Sequence, residues 1–207
     1  MTIMSKPHRI TIIGMSGVGK TRISSILANA GWVHYSSDYR IGSHYLEKDI
    51  LNVVQREVES IPSIRKLLDN GTLTLEGHVT IQNIELVSNF IAQIGNPEKD
   101  GLSLEEFSRR LNLYYEAEIE SAKDTAKFIQ KAGDKHFVHD SSGSLCHLPD
   151  DVISEMATIT RFVYIEATQE DEKALIDRAR AYPKPLYYPV EFLKTALEEY
   201  MTLNKLD

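Results

Sequence analysis

Arg9-Ile10-Thr11-Ile12-Ile13-Gly14-Met15-Ser16-Gly17-Val18-Gly19-Lys20-Thr21 is the stretch on which the fold turns. A short β-branched run enters a loop of the pattern G-x-x-x-x-G-K-[ST], the P-loop, and a helix-like segment leaves it from Lys20. Gly14, Gly17 and Gly19 permit backbone angles and close approaches that a Cβ would block. The N–H groups of Ser16, Gly17, Val18 and Gly19 are thereby free to turn inward as an anion nest. Lys20 brings a flexible point charge for the β- and γ-phosphates, and Thr21 brings a hydroxyl for Mg²⁺. The positive end of the helix adds to the same field. A nucleoside triphosphate is the ligand this chemistry suits.

The 207 residues suit one α/β domain, 1–207, with a sizeable core. With 42% hydrophobic and 26% charged residues, the composition is that of a globular chain and not a disordered one. A net charge of −7 argues against nucleic acid or an anionic membrane as partner. Cys146 is the only cysteine, which excludes an internal disulfide and fits a reducing compartment. The sequence has neither a signal-peptide-like start nor a run of about 18 apolar residues, so the expected location is the cytoplasm.

After the loop, Ile23, Ile26, Leu27 and Ala30 recur at helical spacing, and Gly31 is a natural stop. Trp32-Val33-His34-Tyr35 then reads as a short strand that delivers Ser36-Ser37-Asp38 to its carboxyl end, where ligands lie in open α/β sheets. Asp38 suits Mg²⁺ binding, acceptance of a proton from an attacking hydroxyl, or capping of the next helix. Arg40 suits an anionic substrate or plain solvation. This order of elements resembles the shikimate kinase branch of the P-loop small-molecule kinases. There an Ile-Ile-Gly-x-x-Gly-x-Gly-Lys-Thr loop, a helix ending at glycine and a strand ending in Asp-x-Asp follow one another. Ser36 replaces the first aspartate here, and the resemblance makes Asp38 the carboxylate that contacts the substrate hydroxyl and the candidate base.

Residues 43–132 depart from a βαβ rhythm and read as an inserted, mostly helical substrate lobe. Leu46, Ile50, Val53, Val54 and Val58 form one helix face, and Ile64, Leu67 and Leu68 suggest another before Asn70-Gly71. Thr72–Thr80 is a loop or small hairpin, and Ile84–Ile94 suggests a further helix. Ser103 and Glu106 form a capping box for a long helix reaching about Ala132. Leu104-Glu105-Glu106-Phe107-Ser108-Arg109-Arg110 resembles the family's Phe-Arg stretch, whose arginine grips the substrate carboxylate. Arg109 and Arg110 are therefore both candidates, and both also suit a solvated face paired with Glu105 and Glu106. Such a lobe would accommodate a small metabolite or a protein partner.

Lys135-His136-Phe137-Val138 is a third strand, and Asp140 after it stands where a Walker-B carboxylate would hold Mg²⁺ opposite Thr21. A helix cap or turn is the plainer role for Asp140. In the resembled family, glycines that touch substrate follow this strand. Ser141-Ser142-Gly143 replaces them, so Ser142 and Gly143 are the candidate contacts and shikimate itself is disfavoured. His136, His139 and His147 lack metal-site spacing. Pro149–Ala157 suggests a helix, Arg161–Ile165 a fourth strand, and Thr168 the cap of a further helix.

Residues 178–189 form the expected lid, in which Lys184-Pro185-Leu186 resembles the family's Arg-Pro-Leu. Arg180 is the first choice for the cation on the transferred phosphoryl group, with Arg178 and Lys184 on the nucleotide. Cations at a helix C-terminus are favourable in any case. Val190–Leu203 reads as a terminal helix whose core side is Phe192, Leu193, Ala196, Leu197 and Tyr200.

The expectation is thus a three-layer α/β P-loop NTPase fold, a parallel sheet flanked by helices with a helical insertion, that transfers phosphate from ATP with Mg²⁺ to a hydroxyl of a small metabolite. A P-loop ATPase or nucleotide-binding regulatory module is the alternative. A GTPase has weaker support: Asp140-Ser141-Ser142-Gly143 fits D-x-x-G, but Asn204-Lys205-Leu206-Asp207 fits N-K-x-D behind a helix and not a strand.

Overall fold

The β-branched run before the glycine loop becomes β1 (Arg9–Gly14) in the computed structural model, which describes residues 6–80, 90–91, 93–95, 101–143, 145–181 and 187–205. It lies inside an all-parallel sheet with β2 (Val33–Ser36), β3 (Phe137–Asp140) and β4 (Arg161–Ile165), in the order β2-β3-β1-β4. Parallel pairing puts every carboxyl end on one edge, and the register fixes what meets there. Asp140 stands opposite Ile12 on one side and Ser36 on the other, while Gly14 stands opposite Ile165.

Helices flank the sheet: α1 (Lys20–Asn29), α2 (Ser37–Arg40), α3 (Glu47–Glu59), α4 (Pro62–Asp69), α5 (Leu104–Ala132), α6 (Asp150–Ile159), α7 (Gln169–Ala181) and α8 (Val190–Asn204). Gly31, with φ 93°, closes α1 by donating its N–H to Ala28 O at 2.9 Å. A π-helical turn over Ile41–Tyr45 follows α2. Among the described residues no helix is long and apolar enough to cross a membrane.

The 29-residue α5 ties the helical segment to the sheet. Its first half packs Leu111, Tyr114 and Ala117 with Ile41, Leu46, Phe90 and Ile91. Its second half sets Ala122 against Leu145, Leu148, Val152 and Met156, and Ile129 and Ala132 against Tyr35 and Phe137. The helix therefore belongs to both cores. Residues Thr72–Thr80 run without a strand ladder, and most of the helix expected over Ile84–Ile94 lies outside the described residues.

Two expected apolar faces differ from the sequence reading. On α1, Lys20 and Ser24 turn inward, while Ile26 is 60% exposed and Ile23 is exposed with it. On α8 no residue is fully buried; Phe192 and Tyr200 are exposed, and Leu193 packs on the cluster around Leu111. Among the described residues β4 is the edge strand on its side of the sheet, with Tyr164 61% exposed, and α8 meets the helical segment through Leu193.

Beneath the site edge lies a polar knot. His139 is fully buried, with Nε2 2.7 Å from Ser37 Oγ and Nδ1 3.3 Å from both Thr11 Oγ1 and Thr125 Oγ1. Burial pushes its pKa down from 6.5 to about 3; nearby Asp140 opposes the shift and His34 adds to it. Because the folded pKa lies below the unfolded one, His139 costs nothing above pH 6.5 and progressively destabilises the fold as pH falls from 6.5 toward 3. The expected loss is about 1.4 kcal/mol per pH unit in that window. Urea denaturation at pH 7.5 and 5.0, compared between the wild type and His139→Gln, checks this: the variant should lose less stability on acidification, and equal losses would reject it.

Candidate functional site

The glycine loop has the backbone its sequence demands. Gly14, Gly17 and Gly19 have φ of 151°, 81° and 106°, a region that side chains disfavour. A Cβ on Gly14 would stand 2.9 Å from Ile165 O, and one on Gly17 would stand 3.1 Å from Leu175 Cδ2 and 3.4 Å from Arg178 Nη1. The loop is thus pressed between the end of β4 and the side of α7. No side chain caps α1, and its first turn carries no acid, so its leading N–H groups remain available for an anion. Lys20 is buried and donates from Nζ to Gly14 O at 2.9 Å and Met15 O at 3.1 Å, folding its charge back over the loop. These are the groups that could hold a polyphosphate, and Thr21 at the start of the helix is the hydroxyl that could hold a metal beside it.

Around the carboxyl ends of β2 and β3 the acids divide their work. Ser36 caps α2 by accepting from Tyr39 N at 3.3 Å, so the capping role that the sequence left open for Asp38 goes to Ser36. Asp38 lies in the first turn of α2, half-buried. Asp140 is buried at the end of β3, with His34 Nε2 3.7 Å from its Oδ2. Ser141 extends the strand, donating its hydroxyl to Ile12 O at 2.7 Å.

The candidate cations are not equivalent. Arg40 is partly exposed and has partners: its Nε donates to Asp124 Oδ2 at 2.7 Å and its guanidinium lies over the Tyr45 and Phe128 rings. Burial raises the Asp124 pKa, but hydrogen bonds from Tyr45 and Arg40 outweigh it and leave the carboxyl below its usual range. Arg109 and Arg110 converge on Glu106, at 2.8 and 2.7 Å, and Arg110 also donates to Phe90 O at 2.8 Å. Hydrogen bonding from Arg109, joined by Arg110 and opposed by burial, pulls Glu106 down to about 2. Arg109 also lines an open groove of about 450 Å³ with Asp49, Asn52, Gln55, Arg56 and Glu59. On α7, Arg178 reaches the glycine loop, whereas Arg180 is 78% exposed and turned to Asp177 at 3.5 Å. Lys184 lies outside the described residues.

A cluster absent from the sequence reading completes the edge. Glu118 on α5 is buried; its Oε1 accepts from Ser142 Oγ at 2.8 Å and its Oε2 meets His147 Nε2 at 2.7 Å. One turn earlier, Tyr114 OH lies 3.5 Å from Ser142 Oγ. Burial, then the charges of Asp38 and Glu118, push the Tyr114 phenol well above its usual pKa, while the Glu118 hydrogen bond raises that of His147. Asp38, Ser142, Tyr114 and Glu118 therefore share one electrostatic neighbourhood. Neither a protein-family model nor a curated protein matches this chain. The assignment rests on these residues alone. Tyr114 and Glu118 sit at i, i+4 on a well-capped helix, a spacing visible in the sequence, but their partner Ser142 is 24 residues beyond Glu118.

Proposed function

We propose that the protein is an ATP- and Mg²⁺-dependent phosphotransferase of the three-layer P-loop kind, acting in the cytoplasm on a hydroxyl of a small metabolite. The observation that carries this reading is the conformation of the Gly14–Gly19 loop: positive φ at its three glycines, with Lys20 Nζ folded onto Gly14 O and Met15 O. ATP bound there would supply the phosphoryl group, and Thr21 and Asp140 are the residues that would hold its Mg²⁺. Asp38 orients the acceptor hydroxyl and takes its proton. Arg178 neutralises charge at the phosphates, and Tyr187 stacks on Tyr115 with ring centroids 3.9 Å apart, one residue along α5 from Tyr114. The work is mainly positioning and charge stabilisation.

The test is calorimetric titration with ATP and GTP, each with Mg²⁺, followed by detection of phosphate on an added hydroxyl compound. ATP preference with transfer is the expected result; GTP preference, or ATP binding with phosphate released only to water, rejects it. Against the GTPase, Asn204 ends α8 and donates its amide to Tyr200 O at 2.8 Å. A regulatory module with a protein partner gains some support from the exposed Ile26 and Tyr164.

The two lid arginines separate in a kinetic comparison. Because Arg178 reaches Gly17 and Arg180 pairs outward with Asp177, Arg178→Ala is expected to lower turnover by about 10²-fold or more and Arg180→Ala by less than a few-fold. The reverse order would return the role to Arg180.

A further inference from the structure

The acceptor end of the site has a polarity of its own. A carboxylate only accepts hydrogen bonds, so Glu118 dictates where the Ser142 hydrogen goes. The Ser142 oxygen is then left with lone pairs alone. Its other neighbour, the Tyr114 hydroxyl, is 3.5 Å away, at the outer limit of a hydrogen bond, and is easily exchanged for a closer donor. Asp38 adds a second acceptor, and its charge and that of Glu118 both act on Tyr114. His147 balances Glu118 on the far oxygen without turning a donor toward Ser142.

Meanwhile Arg40, Arg109 and Arg110, the arginines that suit an anionic substrate, have partners already. Arg40 is held by Asp124 at 2.7 Å and by two aromatic faces, and Arg109 and Arg110 share Glu106. Among the described residues, a carboxylate placed here would meet the charges of Asp38 and Glu118, with the neutral Tyr114 hydroxyl as its donor. A hydroxyl or ammonium would donate to the Ser142 oxygen and be favoured by the same charges.

Resting on the kinase reading of the same site, we infer that the phosphoryl acceptor is a hydroxyl-rich molecule without an anionic group. Asp38 and Ser142 accept its hydrogen bonds, and Glu118 is the positioning residue that fixes the direction of the Ser142 hydroxyl. Arg110 shares the Tyr114 face of α5, and its exchange of Glu106 for a substrate carboxylate is the competing outcome.

The experiment is calorimetry on the full chain loaded with a non-hydrolysable ATP analogue and Mg²⁺, titrated with matched pairs: glucose and glucuronate, glycerol and glycerate, and a trihydroxycyclohexene carboxylic acid and its hydroxymethyl counterpart. At least one neutral member is expected to bind, at least about tenfold more tightly than its carboxylate mate. In Glu118→Gln the amide can present either its oxygen or its NH₂ to Ser142, so the direction of the Ser142 hydroxyl is no longer fixed as an acceptor. That variant should lose most of the tenfold preference while keeping its affinity for the nucleotide analogue. A wild-type preference for the carboxylates overturns the inference and leaves the kinase reading standing. Failure to bind the analogue overturns the kinase reading itself. Binding of the analogue with no member of any pair overturns the acceptor site and the inference with it. The wild-type comparison decides the matter even where Glu118→Gln does not fold.

Discussion

Lys20→Ala is expected to weaken binding of Mg²⁺·ATP by about 100-fold or more while the domain remains folded. A hydrogen bond to a charged group is worth roughly 1.5–3 kcal/mol, and each 1.4 kcal/mol is tenfold in affinity. On the proposed reading Lys20 exchanges its bonds to Gly14 O and Met15 O for two phosphates, so its loss would remove at least that much. The fold should tolerate the change because truncation loses two bonds to carbonyls but also relieves the burial of an ammonium group. Calorimetry with an ATP analogue gives the affinity. Thermal unfolding with and without it gives the second readout: a ligand-free midpoint within a few degrees of wild type, and loss of the ligand-induced rise. Unchanged affinity would move the nucleotide site away from this loop. Lys20→Arg is a sharper control, since a planar fork cannot replace a compact ammonium on a flexible stem and should rescue little.

That prediction begins from the part of the chain most legible in its sequence. The strands carrying Ile10–Ile13 and Phe162–Ile165 were recoverable because β-branched runs bounded by glycine or turn residues have few other uses. Caps were legible too, though only by half. Ser103 accepts from Glu106 N at 3.3 Å as its box requires, yet the Glu106 carboxylate turns to two guanidinium groups, stronger partners than a backbone N–H. The facing of α1 was misread for a local reason: Lys20 has to fold back to the loop it follows, which sets the helix rotation, so Ser24 goes in and Ile26 goes out. Periodicity sees apolar spacing and not that constraint. The Glu118 cluster was invisible because its bonds join residues 24 and 29 positions apart through α5 and the loop after β3, a juxtaposition made by tertiary packing alone.

Asp38→Asn carries the second large effect, a fall in turnover of about 10² to 10⁴-fold with nucleotide affinity unchanged. The helix that follows β2 has its cap in Ser36, so the substitution should not unravel α2. Asparagine keeps the size and one oxygen acceptor but loses the charge and cannot take up a proton; positioned bases contribute about 10² to 10⁴ in rate. The kinetic form of the loss is diagnostic. If Asp38 acts on the attacking hydroxyl in the transition state, kcat and kcat/KM fall together. If it merely anchors the acceptor, KM rises and kcat stays, and the proposed base is wrong. The buried phenol beside it adds a structural check. The Asp38 charge is, after burial, the next largest influence holding the Tyr114 pKa up, so the variant should lower that pKa, seen as tyrosinate absorbance appearing at less alkaline pH than in wild type. Loss of turnover with that spectral shift places Asp38 beside Tyr114 at the reacting hydroxyl. Loss without it would mean that the carboxylate acts at some distance from the α5 face.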